Sequence, residues 1–86
     1  MQPYTKSLQV SISSADELIW EGEAQSVSSE NQEGKFDILP GHANFITMIA
    51  GKPITIRIDA RDEEKYTYKN AVIYALEDRV KIYVNI

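Results

Sequence analysis

His42 is the only histidine of the chain, and it follows a Pro-Gly pair in the stretch "LPGHA", Leu39 to Ala43. A histidine can act as a general base, a metal ligand or a surface contact, and each role requires different neighbours. A nucleophilic site would need a Ser, Thr or Cys that such a base activates. The chain has no cysteine, and none of its serines lies in a Gly-x-Ser-x-Gly turn. We therefore predict a non-enzyme with no catalytic residue.

Metal ligands and phosphate-binding loops are also missing from the sequence. The common zinc sites combine several His and Cys ligands, which one histidine without any cysteine cannot supply. The acidic stretch "DARDEE", Asp59 to Glu64, lacks the spacing and the terminal Glu of a calcium loop and is better explained as a charged hairpin loop. We therefore predict no metal and no cofactor.

The elements that position His42 are expected to be short β-strands. Apolar and polar residues alternate in "SLQVSIS", "ITIRID", "KYTYKN" and "RVKIYVNI", a period of two that is typical of half-buried strands. The stretch "AVIYAL", Ala71 to Leu76, is apolar on both faces, and we expect a strand that is covered on both sides.

Shorter strands are expected at "ELIW", "EAQSVSS" and "KFDIL", and also at "ANFITMI", where β-branched residues favour a strand over a helical turn. We expect Arg57, Lys69 and Lys81, which lie on polar faces, to protect sheet edges. Many short strands in 86 residues indicate one domain, residues 1–86, with the architecture of an all-β sandwich or barrel.

Charge is unevenly distributed along the chain. The formal net charge is −4, and the whole of this excess lies before Gly41, where seven acids face two lysines, whereas six acids and seven bases follow. An acidic surface argues against nucleic acid, which requires a basic contact surface, and is compatible with a basic protein partner. No apolar run reaches the roughly 18 residues that span a bilayer, so we predict no direct membrane insertion.

The Pro-Gly pair predicts a type II turn, because Pro40 presets φ and Gly41 supplies the positive φ that this turn needs. Such a turn holds His42 at a defined angle. Two roles remain open for this side chain. It completes the turn by hydrogen bonding to the backbone, or it lies on a recognition loop together with "ENQEG", Glu30 to Gly34.

The region from Leu18 to Ile49, "LIWEGEAQSVSSENQEGKFDILPGHANFITMI", resembles the N-terminal domain of the epsilon subunit of F-type ATP synthases. In that family an aromatic residue precedes Gly-Glu, a Glu-Gly pair follows, and Leu-Pro-Gly-His-Ala comes next. The matching residues here are Trp20, Gly22, Glu23, Glu33, Gly34, Phe36 and Leu39 to Ala43. "GKPITIRI" and "RVKIYVNI" also resemble family strands, so the resemblance extends from about Leu8 to Ile86.

The resemblance implies a flattened β-sandwich of about ten short strands on the central stalk, at the cytoplasmic face of a membrane. Such a subunit binds the gamma subunit, rests on the polar loops of the c-ring and couples ion-driven rotation to the catalytic head without performing chemistry. The resemblance further implies that two loops face the basic c-ring loops. The residues expected at that contact are Glu30, Glu33, Gly34, Lys35, Gly41 and His42.

Three departures from the family pattern limit what the resemblance implies. No C-terminal helical hairpin follows Ile86 in this sequence, so its inhibitory and ATP-binding roles are not carried over. Lys35 stands where the family often has an acid, which leaves Glu33 or Glu30 to pair with a basic loop. "KNAV", Lys69 to Val72, replaces the family's Ser-Gly-Gly. The alternative is a free-standing β-sandwich that binds a small ligand, with His42 and the tyrosines lining a pocket.

Overall fold

The computed structural model describes residues 7–85, and within this range it contains nine β-strands and no helix. The strands are β1 (Leu8–Ser13), β2 (Leu18–Ala24), β3 (Ser26–Asn31), β4 (Gly34–Ile38), β5 (Phe45–Ile49), β6 (Pro53–Asp59), β7 (Asp62–Thr67), β8 (Ala71–Leu76) and β9 (Arg79–Val84). The all-β prediction is confirmed, and so is the strand in "ANFITMI", which is β5. Ile86, which ends the predicted last strand, lies outside the described residues.

The strands form two sheets that pack as a sandwich. Sheet A has five strands in the order β2-β1-β9-β8-β5, and sheet B has four in the order β4-β3-β6-β7. β1 and β9 are parallel neighbours, whereas the other neighbouring strands are antiparallel. The chain therefore joins its first and last described strands at the centre of sheet A, which places both within the core.

The core follows from the period of two, because alternate side chains of each strand point between the sheets. The completely buried side chains are all aliphatic, and both sheets supply them. The largest are Leu8, Val10, Ile12, Val27, Ile38, Ile49, Ile54, Ile56, Ile73, Val80, Ile82 and Val84. A one-residue shift in the register of any strand would move its apolar set to solvent, so this pattern fixes the pairing.

Two sequence predictions are wrong: that β8 is covered on both sides, and that three basic residues protect sheet edges. β8 is covered on one side only within residues 7–85, because Tyr74 and Leu76 are each 42% exposed on the outer side of sheet A. The predicted edge protection is also misplaced, since Arg57 lies on β6 and Lys81 on β9, which are interior strands. Lys69 lies in a bend after β7. Alternation assigns a residue to a face, but it does not assign a strand to a position in the sheet.

Candidate protein interaction surfaces

The Pro-Gly turn has the predicted type II conformation. The amide of His42 donates a 3.0 Å hydrogen bond to the carbonyl oxygen of Leu39, and Gly41 between them has a φ of 86°. This φ is the left-handed value that glycine tolerates at the third position of a type II turn. The amide of Gly41 donates a 2.7 Å hydrogen bond to Asp78 Oδ1, so the turn is held to the β8–β9 hairpin.

The ring of His42 is exposed and packs edge-on against Phe45, with ring centroids 5.6 Å apart. Its Nδ1 lies 2.7 Å from the carbonyl oxygen of Ala43. Because a carbonyl oxygen can only accept, Nδ1 is the donor, and in the neutral ring Nε2 then carries no proton. The side chain thus hydrogen-bonds to the backbone, which is the first of the two roles left open by the sequence. Its other ring nitrogen is still available for an external contact, which is the second role.

Phe45 also contacts Phe36 of β4, with ring centroids 5.2 Å apart and planes inclined by 63°. Phe36 and Phe45 are half-buried and pack against the aliphatic core. Edge-to-face pairs of this kind stabilise beyond the apolar area that they bury. The exposed His42 turn is therefore joined to the core through two aromatic rings, one from each sheet.

The tip of the β3–β4 hairpin contains the other predicted contact residues. Glu30 and Lys35 are directly opposite one another across the two strands, and Gly34 has a φ of 126° just after the loop. The amide of Glu33 donates a 2.8 Å hydrogen bond to Asn31 Oδ1, which shapes the loop. Asn31 Nδ2 donates to Thr47 Oγ1 at 3.0 Å and ties the hairpin tip to β5.

The six predicted contact residues lie in two groups at opposite ends of one strand. Glu30 at the end of β3, Glu33 in the loop, and Gly34 and Lys35 at the start of β4 form the first group, whereas Gly41 and His42 follow the end of β4 at Ile38. A strand rises about 3.3 Å per residue, so the two ends of β4 are roughly 13 Å apart. β4 is an edge strand of sheet B. The two groups therefore do not form one loop, although they share one edge of the sandwich.

Sheet A carries an apolar surface that the sequence prediction did not identify. We define this outer apolar face by the outward side chains of β5, β8 and β9. They are Ile46, Met48, Val72, Tyr74, Leu76 and Tyr83. The strand register places Ile46 beside Tyr74, and Met48 beside Val72, which is in turn beside Tyr83. Ile46 and Met48 are 63% and 65% exposed. The signal was present in "AVIYAL", which is apolar on both faces although the core covers only one of them.

The outer face of sheet B is polar by comparison. None of the exposed large apolar side chains within residues 7–85 lies on β3, β4, β6 or β7. Arg57 instead pairs with Glu63 at 2.7 Å, and Ser28 donates to the carboxylate of Asp37. Isolated exposed apolar residues are ordinary on protein surfaces, but a contiguous patch marks an interaction site. The two faces of the sandwich are therefore chemically different.

The described residues contain no cluster of potential metal ligands and one titratable group whose pKa is clearly shifted. Within residues 7–85 no group of three or more His, Asp or Glu side chains is placed to hold a metal ion. The one clearly shifted titratable group in that range is Tyr66, whose pKa is raised chiefly by burial and then by the nearby Glu64 carboxylate. Tyr66 lies on the edge strand β7, away from the His42 turn in the sheet order.

The pocket expected from the alternative prediction, lined by His42 and the tyrosines, does not form among the described residues. A groove with a volume of about 510 Å³ lies between the β3–β4 hairpin tip and β5. Neither His42 nor a tyrosine lines it. Among the same residues no helix is long and apolar enough to cross a bilayer.

Comparison with known proteins identifies relatives of this fold. The family model described as the β-sandwich domain of the ATP synthase delta/epsilon chain matches residues 7–86. The ATP synthase epsilon chain of Janthinobacterium sp. (strain Marseille) is 30% identical over 74 residues, which cover 86% of this chain and 53% of that one. The epsilon chain of Herminiimonas arsenicoxydans is 34% identical over 62 residues, 72% of this chain and 44% of that one. The chain thus spans about half the length of these relatives.

Two solved assemblies contain a chain with the same fold. One is the Euglena gracilis mitochondrial ATP synthase, OSCP/F1/c-ring in rotational state 1, with a TM-score of 0.82 and 15% identity over 91% of this chain and 50% of that chain. The other is the central stalk/c-ring of the Tetrahymena thermophila mitochondrial ATP synthase, with a TM-score of 0.75 and 9% identity over 95% of this chain and 66% of that chain. At these identities the likeness concerns the fold alone.

Proposed function

This chain belongs to the ATP synthase delta/epsilon chain β-sandwich family, and from that membership we propose that it is part of a non-catalytic central-stalk subunit of an F-type ATP synthase. In this role it joins the gamma subunit to the c-ring and couples ion-driven rotation to ATP synthesis or hydrolysis. It is peripheral to the membrane, at its cytoplasmic face. The observation that carries the proposal is that one sheet of this sandwich, which belongs to that family, has an apolar outer face.

The outer apolar face is the proposed contact with the gamma subunit. Stable protein interfaces have an apolar, often aromatic centre and a polar rim. Here Tyr74 and Tyr83 accompany the aliphatic side chains of β5 and β8, and the next strands continue the face with Lys81 and Glu21. A contact that transmits rotation must resist shear, and a rigid sheet provides this better than a loop does.

The edge of the sandwich along β4 is the proposed contact with the c-ring loops. The hairpin tip with Glu30 and Glu33 lies at one end of this edge, and His42 lies at the other. A flat ring surface can touch both ends of one extended edge strand at once. The predicted basic loops of the ring would meet the two carboxylates of the tip, which complementary charge favours. Lys35, opposite Glu30, would face the same loops and weaken the attraction.

Binding to a purified gamma subunit tests the first contact. Tyr74→Glu places a charge at the centre of the outer apolar face, and we expect the Kd to rise by roughly 30-fold or more, as for a hot-spot residue. Thr67→Glu is the matched control, because Thr67 is an exposed strand residue of sheet B. We expect less than about a twofold change for this variant, as for a surface position outside the interface. A folded domain that shows no binding to gamma at micromolar concentration would contradict the proposal.

Charge reversal at the hairpin tip tests the second contact. We expect Glu33→Lys to weaken association with detergent-solubilised c-ring, most strongly at low salt, because exposed charges are screened at high ionic strength. Asp62→Lys is the control, since Asp62 is an exposed acid just after the β6–β7 turn. Equal losses for the two variants would show a general effect of net charge rather than a contact at the tip.

A further inference from the structure

The outer side of sheet A changes in chemistry from one strand to the next. One complete row across the sheet, in register, consists of Glu21 of β2, Ser11 of β1, Lys81 of β9, Tyr74 of β8 and Ile46 of β5. The row beside it repeats the order with Glu23, Gln9, Arg79 and Leu76. Acidic, neutral polar and basic positions therefore follow one another on three strands, and the apolar strands β8 and β5 come next.

The two cations of these rows, Arg79 and Lys81, have no counter-charge among residues 7–85, and we call them the basic pair. Both are exposed on β9, and their Cα atoms are about 7 Å apart because they are two residues apart on one strand. Neither forms an ion pair with a described residue. On the same side of the sheet, Glu21 and Glu23 lie two strands away, or roughly 10 Å. Asp78 precedes Arg79, but its carboxylate is hydrogen-bonded to the Pro-Gly turn.

A groove of about 260 Å³ separates the basic pair from the acids of β2. It lies over β1, whose outward side chains there are the half-buried Ser11 and the exposed Gln9. The basic pair forms the wall beside the outer apolar face, and Glu21 forms the opposite wall. A carboxylate from a partner is attracted to the first wall and repelled by the second, so these charges determine its position in the groove.

We propose that the protein that covers the outer apolar face places carboxylates over the basic pair, directly beside its own apolar contact residues. This inference rests on the proposed contact with gamma and adds the chemistry that gamma must present there. A partner over Tyr74 also removes water from Lys81, which is one strand, or about 4.8 Å, away. Because a desolvated cation without a counter-charge is costly, the interface requires an acid at this position.

A second copy of this chain does not match both parts of the face at once. The two copies of a dimer are normally related by a two-fold axis. If this axis is perpendicular to the strands, β9 lies against β9, and the two basic pairs repel each other. If it is parallel to the strands, acids of β2 meet bases of β9 only when the axis runs along β1. In that arrangement β8 and β5 extend past the β2 edge of the other copy and remain uncovered. The strand order therefore favours a different protein as the occupant.

Titration of purified gamma subunit with charge variants of this domain tests the inference. Lys81→Glu places an acid opposite the expected carboxylates, and we expect the Kd to rise by about tenfold at low ionic strength and by less as salt is added. Lys65→Glu is the matched control, because Lys65 is an exposed strand residue of sheet B, and its Kd should stay within about twofold. The double variant Glu21→Lys, Lys81→Glu has the net charge of the wild type, and we expect it to remain about tenfold weaker.

The outcomes separate this inference from the proposed function. Wild-type binding to gamma that Lys81→Glu leaves unchanged would overturn the acidic contact and leave the gamma contact intact, whereas no wild-type binding would overturn both. Recovery of wild-type affinity in the double variant would show an effect of net charge alone and would also overturn the inference. Sedimentation of the domain by itself should show a monomer. A dimer that Tyr74→Glu dissociates would identify a second copy as the occupant of the face and contradict the inference.

Discussion

The amide of Gly41 donates a 2.7 Å hydrogen bond to Asp78 Oδ1, across 37 positions in sequence. Asp78 is the second residue of the two-residue β8–β9 loop, where Glu77 and Asp78 have φ values of 51° and 66°. Two positive φ values define the type I′ turn that matches the twist of a hairpin. The carboxylate that fixes the His42 turn is thus itself fixed by a tight hairpin of sheet A.

Asp78→Ala should lower the free energy of unfolding by about 2 kcal/mol. It removes a charge-assisted hydrogen bond and leaves alanine at a positive φ that it tolerates less well than aspartate. Asp78→Asn keeps an acceptor and a residue suited to this φ, so we expect a loss of less than about 1 kcal/mol. Urea unfolding of the two variants measures both effects. Equal losses would show that the carboxamide cannot replace the carboxylate in this contact.

His42→Ala should change the free energy of unfolding by less than about 0.5 kcal/mol, because the ring is exposed and its hydrogen bond to Ala43 is at the surface. Phe45→Ala removes the ring that His42 contacts. It should lower the free energy of unfolding by more than about 2 kcal/mol, because Phe45 packs on the core. Thermal and urea unfolding test the pair. If His42→Ala lowered the free energy of unfolding about as much as Phe45→Ala does, His42 would have a structural role and the prediction would be wrong.

The core was predictable from sequence because its determinant is local. In β1, β6 and β9 every second residue is aliphatic, and the structure buries that set apart from the half-buried Ile58; Val80, Ile82 and Val84 are examples. The type II turn was equally local, since Pro40 and Gly41 specify it within four residues. Each of these features depends on neighbours in sequence, so no knowledge of the strand order was needed.

The interaction surfaces were only partly predictable because they depend on topology. Ile46 and Tyr74 are neighbours only because β5 pairs with β8, and the Asp78 contact requires the β8–β9 hairpin to reach the turn. The pattern of "AVIYAL" indicated two apolar faces but not that the second is uncovered in this chain. The distance between the hairpin tip and His42 follows from β4, a strand that the sequence did predict.

Alanine substitutions of two isoleucines should affect the free energy of unfolding differently, because one side chain lies in the core and the other on the outer apolar face. Ile82 is completely buried, and Ile82→Ala should cost about 2–5 kcal/mol through lost burial and a residual cavity. Ile46 is 63% exposed, and Ile46→Ala should stay within about 0.5 kcal/mol. Urea unfolding of the isolated domain is the measurement. A large loss at Ile46 would mean that this side chain is buried in solution, for instance by self-association.

Gly22→Ala should destabilise the domain by about 1–3 kcal/mol, as overpacking does. A Cβ atom built on Gly22 lies 3.0 Å from both Cη2 and Cζ2 of Trp20, so the indole must move. Trp20 is the only tryptophan, and its fluorescence should report the displacement directly. In a Trp20→Phe background the added methyl group has room, and the cost of Gly22→Ala should largely disappear. Additive costs in this double-mutant cycle would exclude the contact as the cause.

The pKa of Tyr66 gives stability a dependence on alkaline pH. Burial, the Glu64 carboxylate and the 3.4 Å hydrogen bond to it raise this pKa above the ordinary value of 10.0. The folded domain therefore retains the phenolic proton to a higher pH than the unfolded chain does. This contribution to stability is fully present below the unfolded pKa and is lost as pH rises through the folded pKa, since unfolding then releases a proton.

Urea unfolding at increasing pH should therefore show a steeper loss of stability above about pH 10 in the wild type than in Tyr66→Phe. The difference between their ultraviolet phenolate titrations isolates this one group. Glu64→Gln removes the nearby charge, and the Tyr66 midpoint should move down toward that of the unfolded chain. A Tyr66 midpoint at or below the unfolded value would contradict the prediction, because neither burial nor the carboxylate would then oppose ionisation of the phenol.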